Sequence, residues 1–110
     1  METRIVTFSK ETVSKADDFF QSEVRCTADQ LAAIVGFQPE DASDNANMTL
    51  RFTGAAHIDG KRIVPFIAHD WIPNHRDNPP EYNWHIRTTF YQDGIIIRDF
   101  LNSVLHPQEN

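Results

Sequence analysis

The sequence predicts an α+β fold: a three-stranded antiparallel sheet with helices packed on one face, in the order α-α-β-β-β-α. Three observations lead there. Up to Val35 the apolar residues recur at three- and four-residue spacing, and from Met48 to Phe90 the period changes to two. Between two alternating runs stands Asp59-Gly60, the strongest short-range signal for a β-hairpin. The chain has 110 residues, 40% hydrophobic and 24% charged, which suits a single domain spanning 1–110.

Ser9 reads as the N-cap of a first helix, because Val13, Ala16, Phe20 and Val24 then share one side. Thr27-Ala28-Asp29-Gln30 is a capping box opening a short second helix, and Gly36 supplies a left-handed stop after Val35. Residues 38–47, rich in Pro, Asp, Asn and Ser, form a loop. Met48, Leu50 and Phe52 then alternate with Thr49, Arg51 and Thr53 in a strand that reaches a type I′ turn at Asp59-Gly60. If Ile58 opposes Lys61, Phe52 faces Ile67, Leu50 faces His69, Met48 faces Trp71 and Gly54 faces Pro65. Pro65 has no N–H for a ladder, so a bulge or an exposed edge is expected there.

The third strand starts at Tyr82, with Trp84, Ile86 and Phe90 inward and Asn83, His85, Arg87 and Thr89 outward. A closing helix over 95–105 gathers Ile96, Ile97, Phe100, Leu101, Val104 and Leu105 on one half, with Asp93 near its N-cap and Pro107 just beyond its end. The helices cover the apolar face of the sheet, and the other face looks to solvent.

Composition narrows the function classes. The formal charge of −6 is concentrated in residues 1–47, where nine acids meet four bases, while residues 48–110 hold seven acids, six bases and all five histidines. There is no basic stripe for nonspecific nucleic-acid binding, and the acidic half would suit a basic partner. No apolar run approaches the ~20 residues of a membrane span, and the N-terminal residues do not form a secretion signal, so a cytoplasmic protein is expected. The lone cysteine, Cys26, excludes an internal disulfide and a multi-cysteine zinc site, and reads as an inert half-buried thiol.

Two regions can carry function. The first runs from His69-Asp70-Trp71 through His75, Arg76 and Asp77 to Tyr82-Asn83-Trp84-His85, a connection about ten residues long with aromatics at both ends. His69, His75 and His85 with Asp70 or Asp77 are ligand types for zinc, iron or manganese, but no pair has the His-x-x-x-His or His-x-His spacing, so no metal or cofactor is assigned. His75 or His85 could serve as a general base, yet no nucleophile motif accompanies them. The second region is the outward face of the sheet, where arginine with aromatics is the composition of interaction hot spots. The resulting partner-binding set is Arg51, Phe66, Trp71, His75, Arg76, Tyr82, His85, Arg87 and Tyr91. Arg51 and Arg87 could also clamp a phosphate while Trp71 or Tyr91 stacks on a base.

At Gly36-Phe37-Gln38-Pro39, Asp70-Trp71 and Tyr82-Asn83-Trp84-His85-Ile86 the chain resembles a group of small phage-encoded proteins, over roughly residues 27–105. The resemblance implies a phage or mobile-element origin. It also implies an inhibitor, of the kind anti-CRISPR proteins exemplify, that binds and blocks a host protein such as a defence nuclease.

Overall fold

The computed structural model describes residues 5–11, 20–44, 46–71 and 82–107. They form β1 (Val6–Lys10), β2 (Phe20–Cys26), α1 (Ala28–Val35), β3 (Glu40–Asp41), β4 (Leu50–Ile58), β5 (Arg62–His69), β6 (Tyr82–Thr88) and α2 (Tyr91–Leu105). The α+β class stands, but the expected three strands and three helices become six strands and two helices among the described residues. All pairings are antiparallel, in the order β1-β4-β5-β6-β2, with the short β3 also on β4.

The first helix is where the sequence reading fails. Ser9 lies inside β1 and Phe20 and Val24 lie inside β2, while Val13 and Ala16 fall outside the described residues. A spacing of four residues satisfies both the helical and the strand period, so Phe20 and Val24 cannot discriminate. What does is Ser22, Val24 and Cys26 turning inward while Glu23 and Arg25 stay exposed. Ile5-Val6-Thr7, too, is a β-favouring run.

Helix α1 forms as its sequence requires. The Thr27 hydroxyl accepts from the Gln30 N–H at 3.0 Å, the Gln30 side chain accepts from the Thr27 N–H at 2.9 Å, and Gly36 closes the helix at φ 87°. Helix α2 begins four residues earlier than its apolar stripe suggests, at Tyr91 rather than at 95. Its N-cap is Phe90, which is exposed rather than inward, and the Phe90 carbonyl accepts from the Thr88 hydroxyl at 2.8 Å. Asp93 is therefore not a cap but a first-turn acid, favourably placed at the positive end of the helix, and its buried carboxylate lies 2.8 Å from Arg62 Nη2 on β5.

The Asp59-Gly60 turn has both residues at positive φ, 55° and 68°, and the Ile58 carbonyl accepts from the Lys61 N–H at 3.0 Å, as a type I′ turn requires. The strands, however, resume with Ile58 opposite Arg62, so Lys61 is an extra residue on the β5 side. The register moves by one: Phe52 faces Ala68, Gly54 faces Phe66 and Ala55 faces Pro65. Because side chains alternate, the slip exchanges the two faces of β5. Phe66, expected outward, is buried in the core with its ring 5.5 Å from that of Phe8, while His69, expected inward, turns to the outer face. The bulge sits at the turn rather than at Pro65, which lies beyond the part of β5 that β6 pairs, Ile67–His69.

The core lies between the sheet and the helices. Val24, Phe52, Phe66, Ala68, Trp84 and Ile86 from the strands meet Leu31, Val35, Ile97 and Leu101 from the helices. Trp84 is fully buried, 5.4 Å from Phe52 ring to ring, and its indole N–H donates to the Cys26 carbonyl at 2.9 Å, leaving no unpaired donor.

Gly54 stands where the sheet leaves no room for a side chain. A Cβ there would stand 2.9 Å from Phe37 Cζ and collide with the Ser9 carbonyl oxygen, backbone that cannot rotate away. Gly54→Ala should therefore cost about 1–3 kcal/mol by overpacking, whereas Gly36→Ala, with open space around it, costs only the positive-φ penalty of about 1 kcal/mol. Urea unfolding of both variants checks the order, and a Gly54→Ala protein as stable as wild type would refute the packing argument.

Candidate functional site

The register places one polar row across the outer face of the sheet. Glu40 on β3 stands opposite Arg51 on β4, Arg51 opposite His69 on β5, His69 opposite His85 on β6, and His85 opposite Glu23 on β2. The adjacent row is Thr53, Ile67, Arg87 and Gln21. Acids thus stand at both ends, with arginine and two imidazoles between them. Arg51 Nη2 is 3.8 Å from Glu40 Oε1, and His85 Nε2 is 3.6 Å from Glu23 Oε2.

This face is not simply open to water, contrary to expectation. Thr53, Ala55, His69 and His85 are all buried. Trp71 stacks on His85 with ring centroids 5.6 Å apart and planes 19° from parallel, and the two imidazoles are 5.3 Å apart.

The hydrogen bonds fix the state of His69. Its Nδ1 lies 2.8 Å from the Asp70 carbonyl, which can only accept, so Nδ1 carries the proton. Its Nε2 lies 3.4 Å from Arg87 Nη1, which can only donate, so Nε2 offers its lone pair. A second proton would set N–H against N–H. Burial, followed by the positive potential of His85 and Arg87, holds the His69 pKa below the ordinary imidazole value of 6.5, although the bond to the Asp70 carbonyl works the other way. Burial also lowers the His85 pKa, with Glu23 opposing and Arg87 assisting.

Asp70 is structural. Its buried carboxylate accepts the backbone N–H groups of Thr49 and Leu50, at 2.8 and 3.1 Å, and the Thr49 hydroxyl. It thereby ties the end of β5 to the start of β4 and aims Trp71 back over the row.

Of the residues expected to bind a partner, Arg51, Trp71, His85 and Arg87 come together here. Phe66 belongs to the core. Tyr91 lies on the exposed first turn of α2 rather than on the sheet. Tyr82 begins β6, and His75 and Arg76 fall outside the described residues. Among the described residues no three His, Cys, Asp or Glu side chains converge as metal ligands. Cys26 is buried on the core face, so the sheet itself separates it from His69 and His85.

One contact escaped the sequence reading: Ser9 Oγ lies 3.0 Å from His57 Nε2 across β1 and β4. Ser9 also donates to Glu11 at 3.4 Å, which leaves its oxygen to accept from the imidazole. A base for a serine nucleophile must accept that proton instead, so the contact is a cross-strand tie. A pocket of mixed polarity between β5 and α2, lined by Arg62, Ile63, Pro65, Phe90 and Asp93, has a volume of about 110 Å³, against the ~300 Å³ or more of ligand pockets.

No family model, curated protein or solved structure matches this chain.

The lowered histidine values set a pH dependence. In the unfolded chain His69 and His85 take up protons near 6.5, while in the folded state they resist until a lower pH. Between those values the unfolded state binds more protons, so stability should be greatest above pH 6.5 and decline as pH falls below it. Urea midpoints measured from pH 7.5 to 5.5 should show this decline in wild type and a shallower one in His69→Gln. Equal slopes would show that His69 does not contribute.

Proposed function

We propose that this chain is a non-enzymatic interaction protein that binds a partner protein through the outer face of its sheet, around Arg51, Trp71, His85 and Arg87. The observation that carries the reading is the stack of Trp71 on His85, with Arg51 on β4 and Arg87 on β6; His85 and both arginines are held by strands, and Trp71, two residues past the end of β5, is held by its stack and by the anchored Asp70 before it. Tryptophan and arginine fixed in advance lose little entropy on binding, and they are the residues that dominate interface energies. The partner surface that fits presents carboxylates to the arginines and an apolar or planar group to the indole.

The biological setting we propose is a phage or mobile-element inhibitor that occludes a host protein, such as a CRISPR or other defence nuclease. Its support is the motif resemblance at Asp70-Trp71 and Tyr82-Asn83-Trp84-His85-Ile86, together with nine acids in residues 1–47, which would suit the basic surface of a nucleic-acid enzyme.

Wild type and the variants Arg51→Glu and Trp71→Ala, immobilised side by side, test this against a bacterial host lysate. Wild type should retain one protein in stoichiometric amount, and each variant should bind it at least about tenfold more weakly, as loss of a hot-spot residue implies. Absence of a stoichiometric partner, or equal retention by all three, would remove the proposal. A second reading, a nucleotide or phosphate clamped by Arg51 and Arg87, rests on the placement of both arginines beside His69. It requires a rise in melting temperature on adding millimolar nucleotide, whereas the protein-binding reading expects none.

A further inference from the structure

One end of the sheet is β2 and the other is β1 with the short β3, both on β4, and among the described residues β1 and β2 are each paired on one side only. Unpaired strand edges are templates for another strand, so what each edge presents decides whether it repels or accepts one. On β2, Ser22, Val24 and Cys26 face the core, while Glu23 and Arg25, two residues apart, are exposed on the outer face.

We propose that β2 is a self-association edge, and that a second copy of this chain adds its own β2 antiparallel to it across a two-fold axis at Val24. Charge selects both the occupant and the register. When a strand pairs with a copy of itself, a dyad perpendicular to the sheet places residues opposite one another symmetrically about the central residue. Centring on Val24 puts Glu23 opposite the second copy's Arg25, and Arg25 opposite the second copy's Glu23. Centring on Glu23 or on Arg25 instead puts like charges face to face, which is destabilising. A one-residue slip is excluded because it would bring core-facing side chains opposite outward ones. Only the Val24 register is complementary, and it is so twice.

The remaining pairs agree. Val24 meets Val24 on the dyad, and Ser22 meets Cys26, small side chains already turned to the core side. Five residues from each chain, 22–26, then form a ladder of roughly 17 Å, and the polar row that ends at Glu23 continues onto an arginine of the second copy. The opposite edge lacks this property. Thr7 and Ser9 carry no charge on the outer face of β1, and its only charged residue, Lys10, lies at one end with no acid on the strand to meet it.

Sedimentation velocity over a concentration series on wild type, Glu23→Lys, Arg25→Glu, the double variant Glu23→Lys/Arg25→Glu, and an equimolar mixture of the two single variants tests the pairing. Wild type should be dimeric at about 100 μM, and each single variant, which turns two attractive pairs into two repulsive ones, should weaken the dimer by about tenfold or more. The double variant restores opposite signs and should recover it. So should the mixture, in which the lysine introduced in one chain meets the glutamate introduced in the other. Circular dichroism checks that each variant is folded. A monomeric wild type at that concentration overturns the proposal, as do single variants as dimeric as wild type. So do a folded double variant and a mixture that both remain monomeric.

Discussion

Lys61 decides which residues this protein shows to its surroundings. The type I′ turn at Asp59-Gly60 would by itself return the chain with Ile58 opposite Lys61; the extra residue makes the partner Arg62. Every side chain of β5 is thereby assigned to the opposite face. Val64, Phe66 and Ala68 become core, and Ile63, Ile67 and His69 become outer face. The β5–β6 pairing then sets His69 against His85, and the polar row exists because of that parity. Hydrogen bonds between Ile5 and Asp59 in both directions, at 2.7 and 2.9 Å, hold the turn to the start of β1.

The chosen register suits the burial of both faces. In the alternative, His69 would enter a core of Phe52, Trp84 and Ile86, where an imidazole has no acceptor for its N–H, and Phe66 would be left outside. On the outer face His69 finds both partners it needs, the Asp70 carbonyl and the Arg87 guanidinium. An apolar environment makes an unpaired donor costly, by about 1–3 kcal/mol, so His69 belongs on the face where both of its nitrogens find partners.

The parts of the fold legible in the sequence are those written in local chemistry: the capping box at Thr27, the Gly36 stop, the positive-φ turn, and the inward Trp84 and Ile86. The parts that were not legible depend on pairing at a distance. Phe20 and Val24 fit two periods at once, and only partnership with β6 makes them a strand. The bulge at Lys61 leaves no compositional mark, since a lysine after Asp-Gly serves a two-residue or a three-residue connection equally well. Yet that residue determined whether Phe66 or His69 reached the candidate site. Arg51, His85 and Arg87 were placed correctly because β4 and β6 keep their parity whatever β5 does.

A row with acids at its ends and imidazoles at its centre also has a definite charge logic. With both histidines neutral, Glu40 and Glu23 balance Arg51 and Arg87, so these four side chains carry no net charge despite the −6 of the whole chain. Each proton taken up by His69 or His85 adds a positive charge beside Arg87, in a site where burial has removed most of the water that would screen it. The Trp71–His85 stack and the pairing with Glu23 therefore hold a surface whose sign is set by two groups that ordinarily titrate near neutral pH. A carboxylate brought near this row would favour the protonated form and a cation the neutral one, so the row couples the charge of the face to pH.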